Sequence, residues 1–107
     1  MTEMFHCTPI SNMESILKDG LIPQIGPRSK KLEEEAGVFL FASYEACEDA
    51  LMGWLGSEFE ELGAEPVVLK VVVPDDFLLE ETVEWERVSR VKIEPQYIEF
   101  FQFEGNF

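Results

Sequence analysis

Histidine, cysteine and basic side chains are scarce in this chain. Its 107 residues include one histidine and two cysteines, and 8 Lys and Arg stand against 22 Asp and Glu. One histidine without a Cys-x-x-Cys pair argues against a bound metal. Two cysteines do not build a disulfide framework, and we interpret Cys7 and Cys47 as small buried residues in a reducing compartment.

The deficit of positive charge limits the partners of this chain. Its net charge of −14 argues against nucleic acid binding across the overall surface, because each phosphate contact needs a neutralising cation. An acidic surface either maintains solubility or presents carboxylates to a basic partner. The sequence also lacks a signal-peptide pattern and an apolar run long enough to span a membrane, so we expect a cytoplasmic protein without membrane contact.

The composition is that of a folded domain, with 46% hydrophobic residues, and we expect residues 1–107 to form a single domain. Two helices are predicted, each after a serine. Ser11 and Glu14 have the spacing of a capping box, and Gly20 fits the left-handed position that ends this helix. Ser43 precedes the longer helix, which is predicted to end at Gly56.

Apolar or alternating runs predict the strands. The pattern of strand, helix, loop, strand, helix and then several strands indicates an α+β fold with a mixed or antiparallel sheet and two main helices. The predicted strands cover residues 4–8, 37–41, 67–73, 83–93 and 98–103.

His6 and Thr8 are the first candidates for a functional site. Residues two apart on a strand share a face, so a ligand could contact both side chains. His6 would donate to a ligand hydroxyl or carbonyl. The alternative is a partly buried imidazole that bonds only to backbone. Cys7 lies between them and points to the other face, which excludes a Cys-His catalytic pair.

A basic loop follows the first helix. Arg28 could contact a phosphate through two parallel hydrogen bonds, with Ser29 and loop amides assisting. The alternative is that this loop only offsets the glutamates beside it.

Five further residues have a structural and a functional interpretation. Ser43 is a helix cap or a ligand contact, and Phe41 and Tyr44 form an aromatic shelf or part of the core. Of the late carboxylates, either Glu94 or Glu99 could be a catalytic base or ion-stabilising residue, although solvated glutamates are the common case.

Four segments of the chain carry a family resemblance: Phe5-His6-Cys7-Thr8, Gly20-Leu21-Ile22-Pro23, Val38-Phe39-Leu40-Phe41-Ala42-Ser43 and Val91-Lys92-Ile93-Glu94-Pro95-Gln96-Tyr97-Ile98. In this order they resemble ADP-ribosyltransferase-like proteins of the His-x-Thr branch, which includes DNA-targeting ADP-ribosyltransferase toxins and RNA 2′-phosphotransferases. The chain departs from the family pattern because it lacks Glu-x-Glu or Gln-x-Glu and its tyrosine is displaced to Tyr44.

The resemblance implies an ADP-ribosyltransferase-like fold and NAD as the bound nucleotide. It implies ribose contact by His6 and Thr8 and pyrophosphate binding by Arg28 with Ser29. Phe41 and Ser43 would lie near the nicotinamide, and Glu99 would be the catalytic glutamate beside His6.

Two functions are therefore expected. The first is a compact transferase-like protein that binds NAD or a related nucleotide and modifies a macromolecule. The second is a non-catalytic acidic protein that occupies a basic surface of its partner.

Overall fold

The first strand of the chain lies inside a six-stranded sheet. The computed structural model describes residues 1–23 and 36–104, and every strand pairing within them is antiparallel. Three α-helices pack on this sheet within the described ranges. The predicted α+β class is thus confirmed, with an antiparallel rather than a mixed sheet and with one helix more than the two main helices expected.

The helices and strands follow one another in a simple order, with short 3₁₀ turns at Ile10–Asn12 and Pro95–Tyr97. The elements are β1 (Thr2–Pro9), α1 (Met13–Asp19), β2 (Val38–Phe41), α2 (Tyr44–Leu51), α3 (Trp54–Leu62), β3 (Pro66–Val73), β4 (Glu80–Val83), β5 (Glu86–Ser89) and β6 (Ile98–Phe103).

The strand order is β4-β5-β2-β1-β3-β6. The longest ladder joins β1 to β3 and runs from Thr2 opposite Val73 to Pro9 opposite Pro66. β3 is an almost continuous run of valines that is buried along most of its length. Such β-branched residues suit a strand covered on both faces.

The two faces of the sheet belong to separate cores. On the α1 face, Met4 packs with Ile16 of α1. On the α2–α3 face, Phe5 packs with Cys47 and Ala50 of α2. Since neighbouring residues of a strand point to opposite faces, the alternation along β1 sends His6 and Thr8 to the α1 face and Cys7 to the other.

The helix predicted between Ser43 and Gly56 is in fact two helices. α2 ends at Leu51, and α3 runs from Trp54 to Leu62, beyond the predicted end at Gly56. Gly56 lies inside α3, where a Cβ atom would come 2.0 Å from the carbonyl oxygen of Leu51. This glycine therefore permits the close approach of the two helices instead of ending one.

The long strand predicted over residues 83–93 is also wrong, because the chain turns between β4 and β5. The Arg87 guanidinium secures this turn by donating to the carbonyl oxygens of Val83, Glu84 and Glu86 at 3.2, 3.1 and 2.9 Å. The alternation of apolar and polar residues correctly indicated strand structure in this segment, but the structure is the β4–β5 hairpin and not one long strand.

Within the described ranges, no helix has both the length and the apolar character needed to cross a bilayer.

Candidate functional site

A cleft of about 510 Å³ opens on the α1 face, between β1, α1 and the start of β2. Its volume is within the range of small-molecule sites. His6 and Thr8 both line it, as their spacing predicts. The other lining residues are Asn12, Ser15, Ile16, Asp19, Gly20, Leu21, Ile22, Gly37, Val38 and Phe39.

The His6 imidazole is held in one orientation by β2. Its Nδ1 lies 2.9 Å from the carbonyl oxygen of Phe39. A carbonyl oxygen only accepts, so Nδ1 carries the proton and the neutral ring keeps a lone pair on Nε2. Burial lowers the pKa of His6, and the backbone hydrogen bond opposes this in part. The ring is therefore mainly neutral at pH 7, with Nε2 as a hydrogen-bond acceptor.

The side chain of Asn12, the residue before α1, orients Thr8. The Asn12 amide Nδ2 donates to Thr8 Oγ1 at 3.4 Å, which orients the buried hydroxyl. The predicted capping box is wrong here: Ser11 lies in the 3₁₀ turn, and the N-cap of α1 is Asn12, without a side-chain cap bond. The Asn12 side chain bonds to Thr8 instead.

Gly20 ends α1 and leads into a backbone pairing with Ile93, which follows β5 in the chain. Its φ of 91° has the positive sign that was predicted, and a Cβ atom here would come 2.3 Å from the carbonyl oxygen of Ile93. The next residue, Leu21, exchanges two backbone hydrogen bonds of 2.9 Å with Ile93. The wall of the cleft is therefore anchored by backbone.

The lining of the cleft combines apolar and polar side chains and carries little charge. Asp19 is the lining carboxylate, and no Lys or Arg lines the cleft among the residues that the structure describes. The same residues contain no cluster of His, Cys, Asp or Glu able to hold a metal ion. Such a lining suits hydroxyl groups better than phosphates.

Four of the candidate residues, Phe41, Ser43, Glu94 and Glu99, do not line this cleft. Phe41 and Glu99 lie on the α2–α3 face, since Phe41 pairs with Phe5 and Glu99 pairs with Lys70, the partner of Phe5. The predicted meeting of His6 with Glu99 in one pocket is therefore wrong. One intervening strand, β3, and the thickness of the sheet separate them.

Phe41 and Ser43 have structural contacts. Phe41 is buried and stacks on Trp85, with ring centroids 5.9 Å apart. The Ser43 hydroxyl accepts from the Ala46 amide at 3.1 Å and caps α2, as one of its two interpretations predicted. Glu94, the second candidate carboxylate, lies 3.7 Å from the Lys92 ammonium. Arg28 and Ser29 lie outside the described residues.

Asn12, Ser15 and Asp19 are polar lining residues that the sequence did not single out; Ser15 donates to the carbonyl oxygen of Asn12. Asn12 follows Thr8 by four residues, and Asp19 is the last residue of α1. Both flank a strand–turn–helix segment that carries the histidine, which is the signal that would have identified them.

The two cysteines meet on the α2–α3 face. Both are free thiols, and Cys7 packs against the cluster that contains the fully buried Cys47. A hydrogen bond with the Cys47 thiol and then burial raise the pKa of Cys7. A thiol whose pKa is raised is a poor nucleophile, in keeping with the predicted packing role.

Comparison of this chain with protein-family models, curated proteins and solved structures gives no significant match.

Proposed function

We propose that this chain binds the ribose of a nucleotide, NAD in the first place, in the cleft at His6 and Thr8. One observation carries the proposal: the Nε2 acceptor of a neutral imidazole and an oriented threonine hydroxyl share one face of β1 in a cleft of nucleotide-fitting size. The ADP-ribosyltransferase-like sequence pattern around the same residues supports NAD as the nucleotide.

The chemistry of the lining favours ribose. A ribose hydroxyl donates to His6 Nε2, and its oxygen accepts from Thr8 or Asn12, so each polar group gains a partner. Polar groups that lose such partners are costly in a desolvated site, which gives the cleft selectivity for hydroxylated ligands.

Transfer of ADP-ribose needs a carboxylate near the ribose, because positive charge develops there as nicotinamide leaves. Among the described lining residues, the carboxylate is that of Asp19. The proposal therefore assigns this role to Asp19 and leaves Glu99 out of the site.

Thermal unfolding with NAD tests the binding step. A ligand at a hundredfold excess over its Kd stabilises the folded state by about 2.7 kcal/mol. We expect NAD and ADP-ribose to raise the Tm and Thr8→Val to remove this shift. Thr2→Val is the matched control, since Thr2 lies on the same face of β1 but bonds to Asp75.

Nicotinamide release separates an enzyme from a binding protein. Release that is lost in Asp19→Asn supports transfer chemistry at this cleft, and binding without release restricts the function to binding. An unchanged Tm at millimolar NAD and ADP-ribose would refute both forms of the proposal.

A second function is favoured by how the chain uses its cations: it is an acidic protein that occupies a basic partner. Lys70 and Arg90 lie 3.3 and 3.1 Å from Glu3 and Glu80, and Arg87 and Lys92 each lie 3.7 Å from a glutamate. Internal pairing of these cations leaves the excess carboxylates to face outward. Capture of a basic protein that weakens as salt is added tests this function.

A further inference from the structure

β6 is an edge strand with an apolar surface. It ends the strand order, so the backbone groups on its outer side have no neighbouring strand among the described residues. Phe100 and Phe103 are 49% and 42% exposed. Edge strands of this kind are templates for pairing with another chain unless charges or prolines protect them.

Glu99 adds an unpaired charge to this edge. Lys70 stands opposite Glu99 in the β3–β6 register, yet its ammonium lies 3.3 Å from the carboxylate of Glu3. Among the described residues, Glu99 therefore has no ion-pair partner. A strand added outside β6 would place a side chain directly opposite this carboxylate, where opposite charges stabilise the pair.

The other edge of the sheet differs in this respect. β4 carries Glu80 and Glu81, and these bind Arg90 and Arg87 of the same chain at 3.1 and 3.7 Å. The two carboxylates of the β4 edge are therefore paired with cations of the same chain, whereas the Glu99 carboxylate of the β6 edge has no such pair among the described residues.

From these observations we infer that β6 is the docking edge for an extended segment of a basic partner protein. The segment adds a strand to the sheet, with a Lys or Arg opposite Glu99 and apolar side chains against Phe100 and Phe103. Main-chain hydrogen bonds supply affinity, and the alternating side chains supply specificity.

The charge of the chain argues for such a partner over a second copy. Two copies would each bring a net charge of −14 to one interface and repel each other, and both would place Glu99 near the same edge. A basic segment gains from the same field instead. This inference deepens the second proposed function and is independent of the nucleotide cleft.

The test uses the whole protein and a short end-capped peptide of alternating valine and lysine, with a valine and glutamate peptide as the control. We expect the lysine peptide to bind, with binding that weakens as salt is added, and to slow amide hydrogen exchange in β6 but not in β4. Glu99→Lys should weaken binding about tenfold, because it turns an attraction into a repulsion.

Matched variants separate the edge from general charge. Glu60→Lys makes the same charge change on an exposed position of α3 and should leave the affinity nearly unchanged. Phe100→Thr should weaken binding, while Val83→Thr, on the exposed β4 edge, should not.

The inference fails if the peptide does not bind, if exchange slows at β4, or if Glu60→Lys weakens binding as much as Glu99→Lys. If the protein forms a concentration-dependent dimer that the Glu99→Lys substitution dissociates, the β6 edge binds a second copy of the chain instead of a basic partner. If the Glu99→Lys variant still captures a basic protein, the second proposed function stands, but β6 is not the surface that binds the partner.

Discussion

The two faces of the sheet use the same strand in different ways. On the α2–α3 face, Phe5 is covered by rings, with Phe101 at 5.1 Å and Tyr44 at 5.8 Å between centroids. On the α1 face, His6 and Thr8 line an open cleft. α2 and α3 have 8 and 9 residues and meet each other on the sheet, whereas α1 has 7.

The comparison shows why residues close in sequence divide between packing in a core and lining a cleft. α1 covers Met4 but leaves a cleft that His6 and Thr8 line, while aromatic rings cover Phe5 on the other face. Neighbouring residues of β1 therefore have different roles. The predictions below test whether the α1 face binds ligand while the α2–α3 face contributes only stability.

Gly20→Ala should have the largest effect. A side chain here meets both an unfavourable φ and the Ile93 carbonyl oxygen at 2.3 Å, so we expect a loss of about 3 kcal/mol or more in unfolding free energy. Denaturant titration measures it. Gly63→Ala is the control, because Gly63 also has a positive φ but nothing within 4 Å of the added Cβ. It should lose only about 1 kcal/mol. Equal losses would mean that the wall of the cleft tolerates the side chain.

Phe41→Leu should lower stability by about 1.5 kcal/mol, since it removes part of a buried ring that stacks on Trp85. The Tm increase produced by NAD should match that of the unchanged chain, because Phe41 lies on the α2–α3 face. Parallel melts with and without NAD check both expectations. If the folded Phe41→Leu variant shows no Tm increase with NAD, Phe41 is part of the NAD site.

The pH dependence of stability should include a contribution from His6. Its pKa is lowered in the folded state, so the unfolded chain binds the proton more readily. Stability should therefore fall as pH drops below 6.5, the ordinary value of the imidazole. One proton limits this slope to about 1.4 kcal/mol per pH unit.

His6→Asn is the control for this pH effect, since its amide can still donate to the Phe39 carbonyl but does not titrate in this range. Denaturant titrations of both chains from neutral to mildly acidic pH give the difference, which cancels the carboxylates they share. If the unfolding free energies of the unchanged chain and the His6→Asn variant change equally with pH, burial of His6 does not disfavour its charged form.

Ser43→Ala should have the smallest effect, a loss of about 1 kcal/mol from the missing cap of α2. The NAD response should stay the same, because this hydroxyl binds the Ala46 amide and not the cleft. Ser43→Asp, which keeps a capping oxygen, should recover most of the stability. If Ser43→Ala instead weakened NAD binding without loss of stability, Ser43 would be a ligand contact.

Much of the fold was predictable because local patterns agreed with it. Strands near β1, β2, β3 and β6 followed from short apolar runs, and the Ser43 cap followed from residue type. The errors fell where a specific short-range contact overrode the residue pattern. Gly56 was interpreted as a helix end because its close approach to Leu51 is invisible in sequence, and the β4–β5 turn depends on the guanidinium of Arg87.

The sequence by itself determined the strand that carries His6 and Thr8, their shared face and the α+β class, because side-chain periodicity is a local property of the backbone. Only the tertiary structure decided what each face became. Strand order and register set that outcome, since they placed Glu99 across the sheet from His6 and brought Asn12 and Asp19 to the cleft. Among the strands of the described residues, they also left β6 at one edge of the sheet.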